Sequence, residues 1–75
     1  MQYTSKVFTC PRSKARVYYD AATHWHDMAA TVYVLCADSD AVLNRHELDF
    51  EIPISDENNL RQSINLKLWG VHNVA

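Results

Sequence analysis

The stretch HWHD, His24 to Asp27, holds the side chains in this sequence best suited to gripping a metal ion. On a strand, residues two apart project to the same side, so an H-x-H pair would present both imidazoles to one zinc ion. On a helix the same two residues point about 200° apart and cannot share an ion. Asp27, His46, His72 or Cys10 would have to complete a tetrahedral set through tertiary contacts. Structural zinc sites usually bring two ligand pairs, and this chain offers one. The favoured reading is two surface histidines flanking a buried Trp25, with a small zinc-binding module through His24 and His26 as an alternative.

Catalytic constellations are sparse. Cys10 with a histidine makes a nucleophile–base pair in principle, but nothing supplies an orienting third group or an oxyanion-hole turn. Gly70 is the only glycine, which excludes a Gly-rich phosphate loop. The stretch HELDFEIPI puts Glu47, Asp49 and Glu51 on one parity and Leu48, Phe50, Ile52 and Ile54 on the other. A strand with one wet and one buried face is written this way. Neighbouring carboxylates can act as acid and base. Three in a row on an exposed face serve more often as a fixed negative surface. The reading is therefore non-catalytic, with no cofactor expected.

The charges are laid out unevenly along the chain. Residues 1 to 19 carry Lys6, Arg12, Lys14 and Arg16 with no acid, while residues 20 to 57 carry all nine acids and Arg45 alone among the bases. Arg61 and Lys67 follow, for a net charge of −2. Cross-strand neutralisation inside one fold would account for this pattern. A surface with unlike poles would instead orient the molecule on a charged partner or a second copy of itself. The basic segment is interleaved with Phe8, Tyr18 and Tyr19, as in surfaces that stack nucleic-acid bases. An isoelectric point near 6.0 lies far below the value above 9 typical of a nucleic-acid module. Nucleic-acid binding through the basic patch is thus an alternative and not the main reading.

Those residues need elements to carry them. Gln2–Thr9 and Lys14–Tyr19 read as strands separated by the break CPRSK, and a hairpin between them is expected. Asp20 can cap a helix over Ala21, Ala22, Trp25, Met28 and Ala29, although a two-stranded meander through the same region competes with it. Thr31–Ala37 is apolar on both parities and suggests a strand covered on both faces. Residues 46–54 follow as a half-buried strand. SDENN is a loop or helix start, with Ser55 as the cap. SINLKLWGV alternates again, which predicts a last strand paired with the 46–54 strand. It turns Ile64, Leu66 and Leu68 inward and Trp69 outward. An outward Trp69 together with Tyr18 would centre an interface.

The expected fold is α+β, a small antiparallel sheet of four or five strands with one short helix. The alternative is an all-β sandwich or barrel. Seventy-five residues make one domain with a thin stability margin. No apolar run approaches the 18 residues that a membrane span needs. The opening residues lack a secretory pattern, which with two cysteines suggests free thiols in a reducing, cytoplasmic setting. The function that remains is protein binding or self-association. Glu47, Asp49 and Glu51 would form an acidic contact row, beside Trp69 and Tyr18, in an inhibitor, adaptor or assembly component of the kind that phages encode.

Overall fold

Alternation decides which side of each strand meets the core. In Arg16–His24 (β3), Val17, Tyr19 and Ala21 are buried while Arg16, Tyr18, Asp20 and Ala22 are not. In Ala29–Cys36 (β4), Ala30, Val32 and Val34 take the same inner side, opposite Thr23, Ala21 and Tyr19 in register. The computed structural model describes residues 1–73 and adds Gln2–Thr4 (β1), Phe8–Thr9 (β2), Val42–Asp49 (β5) and the helix Glu57–Trp69 (α1). β1 and β2 both pair antiparallel with β3, β3 with β4, and β4 with β5, forming one open five-stranded sheet. One sheet and one helix make this an α+β fold; the sheet does not close into a barrel.

The helix covers only the inner face. Leu60, Ile64 and Leu68 recur at every fourth residue and join Phe8, Val17, Tyr19, Val32, Phe50 and Ile54 in one buried cluster. Asp56 caps the helix, its carboxylate accepting the Asn59 N–H at 2.8 Å, and Glu57 adds an acid to the first turn. Gly70 stops it with φ +69°, donating its N–H to the Leu66 carbonyl at 2.9 Å. Trp69 packs on Phe8 and Tyr19 at ring-centroid distances of 5.1 and 6.1 Å. Tyr19 is wholly buried, and burial pushes its phenol above the ordinary value.

The first edge of the sheet is interrupted. Between β1 and β2 the chain bulges at residues 5–7, and Ser5 stitches the gap to β3. Its N–H donates to the Tyr19 carbonyl at 2.9 Å, and its Oγ accepts the Tyr19 N–H at 2.8 Å. Both groups of Tyr19 are thereby satisfied where the ladder is broken.

Several expectations are corrected here. Asp20–Ala30 is not a helix but the end of β3, a four-residue turn and the start of β4, so the competing meander is what forms. Residues 57–69 are helical and not a last strand, so β5 pairs with β4 alone and forms the sheet edge. Ile64 and Leu68 point inward as expected, but Leu66 is 44% exposed because a helix turns residue 66 away from 64 and 68. The cap is Asp56, not Ser55. The helix covers one face of β4; on the other, Tyr33 is exposed and Thr31 half-buried, while Ala29 and Leu35 near the strand's two ends are buried. Strand β5 ends at Asp49, and the chain bends so that Phe50 and Ile54 are buried but Ile52 is not.

Two stability measurements check this packing. Ile64→Ala should cost about 2–5 kcal/mol in urea unfolding, while Leu66→Ala stays within about 0.5 kcal/mol. A strand over these residues would make the two losses equal. Ser5→Ala should cost about 1–3 kcal/mol by stranding the buried Tyr19 N–H.

Candidate protein-interaction site

The β3–β4 turn, residues 25–28, is built from residues that dislike its backbone. Trp25, His26 and Asp27 all take the left-handed conformation, with φ of 55°, 55° and 62°, and none is glycine. Such residues cost of order 1–3 kcal/mol each unless their surroundings hold them. Here the holding contacts are the Thr23 hydroxyl, which donates to the Asp27 carboxylate at 2.6 Å, and the Met28 N–H, which donates to the Trp25 carbonyl at 3.1 Å. Two further backbone bonds tie in the segment after β5. The Phe50 N–H donates to the Met28 carbonyl at 2.8 Å, and the Ile54 N–H to the Asp27 carbonyl at 2.9 Å.

The turn and the 50–54 loop therefore form one end of the molecule. Trp25 stands at this end 76% exposed, and Ile52 in the loop is 73% exposed. These are the two most exposed large apolar side chains among the described residues. Asp27, Asp49 and Glu51 accompany them, and the helix begins here with Asp56 and Glu57. An aromatic and an aliphatic knob set among carboxylates match the composition of a protein contact, with apolar anchors inside a charged rim.

Charge separation is real at this end and blurred at the other. Arg12, Lys14 and Arg16 cluster around the β2–β3 turn, whereas Lys67, in the helix's last turn, lines a groove with Glu51 and Ile52. The β4–β5 turn brings Asp38 and Asp40 beside the β2–β3 turn. Arg16 pairs with Asp38 at 3.6 Å, the Ala37 N–H donates to the Arg16 carbonyl, and the Lys14 ammonium caps the Pro11 carbonyl. Lys6 sits apart, in the bulge between β1 and β2. The basic patch is thus partly neutralised and divided, which weakens the nucleic-acid alternative.

The uncovered sheet face carries a polar network across three strands. Thr31 Oγ1 donates to both Glu47 oxygens at 3.0 Å, His24 Nε2 lies 3.2 Å from Thr31 Oγ1 and 3.7 Å from Glu47, and Arg45 pairs with Glu47 from two residues away. Beside it, Gln2, Thr4, Asp20, Ala22, Thr31 and Tyr33 line an open groove of about 380 Å³. Tyr18 donates to Asp40 at 2.8 Å on this face, a bond that raises its phenol above the usual value. Every member of the network is open to water, where charges are screened and hydroxyls stay weakly nucleophilic.

The expected site residues are redistributed. Glu47 and Asp49 share the open face, but Glu51 lies past the strand end, lining a groove with Phe50, Ile52, Leu66 and Lys67, so the row of three is split. Trp69 and Tyr18 lie on opposite faces and cannot centre one interface. His24 ends a strand and His26 belongs to the turn, so the H-x-H geometry of a continuous strand is lost. Among the described residues no three His, Cys, Asp or Glu side chains converge on a metal position. Cys10 and Cys36 are free thiols. Cys10 and His46 line a common cavity of about 220 Å³ under Trp69. Burial opposes ionisation of the Cys10 thiol, but hydrogen bonds with Ser13, the Arg12 and Ser13 backbone and Trp69 bring it down overall.

Trp25 and Ile52 are the residues that sequence reasoning placed inside. The turn's strain gives a direct test, since glycine adopts φ near +55° freely. His26→Gly should raise stability by about 1 kcal/mol in denaturant titration, and an unchanged or lower midpoint would show the turn to be relaxed.

No family model, curated protein or solved structure matches this chain.

Proposed function

We propose that this chain is a non-catalytic protein-interaction module that docks through the end formed by the β3–β4 turn and the 50–54 loop. The supporting observation is that Trp25 and Ile52, both about three-quarters exposed, lie on two segments joined by backbone hydrogen bonds, which also carry Asp27, Asp49 and Glu51. An exposed Trp at the tip of a strained turn is costly for an isolated molecule, and its burial in a partner's pocket recovers that cost. The carboxylates would steer a basic rim toward the contact and set its orientation. The fitting partner is a folded protein with an apolar pocket edged by Lys or Arg, as an inhibitor or adaptor would engage.

A photo-crosslinking side chain at position 25 should capture that partner, which is then purified for binding measurements. Trp25→Ala should weaken affinity by roughly 30-fold or more, about 2 kcal/mol. The double substitution Asp49→Lys and Glu51→Lys should slow association and flatten its salt dependence. Arg12→Ala, in the β2–β3 turn at the opposite end of β3, should bind as the parent does. Unchanged binding in both altered proteins would discard the docking end.

A further inference from the structure

The two edges of the sheet are treated differently, and the difference points to a partner. The β1–β2 edge is short, broken at residues 5–7, and carries Lys6 in the break, all of which discourage pairing with another strand. The β5 edge runs for eight residues with no Pro or Lys, and Val42 and Leu43 are 57% and 49% exposed on it. Its irregularity lies only at the Val42–Leu43 end, where the register with β4 shifts.

The outward groups of β5 follow from the ladder. Phe50 donates its N–H to Met28, directly opposite in the register that pairs Asp49 with Ala29. Alternation then turns Leu48, His46 and Asn44 toward β4, so the N–H and C=O groups of Asp49, Glu47 and Arg45 face outward, where β5 has no neighbouring strand among the described residues. The side chains of Arg45 and Glu47 lie on the uncovered face, in register with Tyr33 and Thr31.

We infer that β5 pairs with β5 of a second copy of this chain, antiparallel about a two-fold axis at His46. In that register Arg45 of each copy stands opposite Glu47 of the other, their outward backbone groups exchange hydrogen bonds, and each ion pair occurs twice. Moving the axis to Glu47 sets two carboxylates face to face, and moving it to Arg45 sets two guanidinium groups face to face. Like charges directly opposite destabilise a ladder. The charge pattern therefore favours this register over the two adjacent ones and makes the edge complementary to itself, as a two-fold interface requires. Glu47 is held in advance by Thr31 and Arg45, so little order is lost on pairing. The product is a continuous ten-stranded sheet, with both helices on one side.

The test is sedimentation equilibrium of the purified full chain across a concentration series. The parent protein should show a monomer–dimer equilibrium. Glu47→Arg should raise its dissociation constant roughly tenfold or more by placing guanidinium groups opposite each other. The charge-swapped protein, Arg45→Glu with Glu47→Arg, should regain the dimer. Arg45→Pro deletes an outward N–H that β4 does not use and should leave a folded monomer by circular dichroism, whatever becomes of Glu47→Arg. A parent that stays monomeric to millimolar concentration, or a swapped protein that folds but does not dimerise, overturns the proposal. Neither residue belongs to the docking end, so loss of the dimer and loss of partner binding are read separately.

Discussion

The structure depends on one contact, the seating of a single helical stripe on a single face of the sheet. Leu60, Ile64 and Leu68 close over Tyr19, Val17 and Val32, and these six side chains are nearly or wholly removed from water. Among the described residues there is no second helix to cover the other face. Everything on the far face must therefore tolerate water, and it does so with Thr4, Asp20, Thr31, Arg45 and Glu47, tied by side-chain hydrogen bonds and ion pairs. Ala29 and Leu35 are the buried apolar residues there, Leu35 in register with Tyr18 and Val42.

One-sided burial also sets where the chain must turn. To bring the helix beneath the sheet, the backbone leaves β5 after Asp49 and crosses the end of the β3–β4 turn. The Phe50 and Ile54 amide bonds pin it there. The crossing buries Phe50 and Ile54 and leaves Ile52 exposed. The helix then starts at the acidic end, so Asp56 and Glu57 face its positive pole, and Lys67 lies at the negative one. The same geometry that completes the core thus gathers apolar knobs and carboxylates at one end.

Much of this was legible in the residues. The antiparallel α+β class, the hairpin joining the first two segments, and the central strand after Ala30 follow from β-branched and aromatic runs and the CPRSK break. The helix was hidden because Ile64, Leu66 and Leu68 fit period two, while Leu60, Ile64 and Leu68 fit period four. Asp56 as a cap, Leu60 as its first inward residue and Gly70 as a stop resolve the tie in favour of a helix. The β3–β4 turn was illegible for a different reason. Turns with positive φ announce themselves through Gly or Asn, and this one is written Trp-His-Asp. Alanines at 21, 22, 29 and 30 then imitated a helical face. The acidic row was overextended because the alternation of HELDFEIPI continues past the strand that ends at Asp49.

That misleading turn bears on how the protein trades stability for contact. A sequence selected only to fold would place glycine at residues 25 to 27, where the backbone favours it, and would not leave an indole in water. Trp25 takes a left-handed conformation and is left 76% exposed. The hydrogen bond from Thr23 and the two backbone bonds to the 50–54 loop hold the turn, which would lower the ordering cost of the proposed docking. Pairing through β5 would then set two such ends at opposite extremities, because antiparallel strands related by a two-fold axis run in opposite directions. Two rigid, widely separated contact points on one continuous sheet favour a partner that is itself repeated, since the second contact forms at high effective concentration once the first is made.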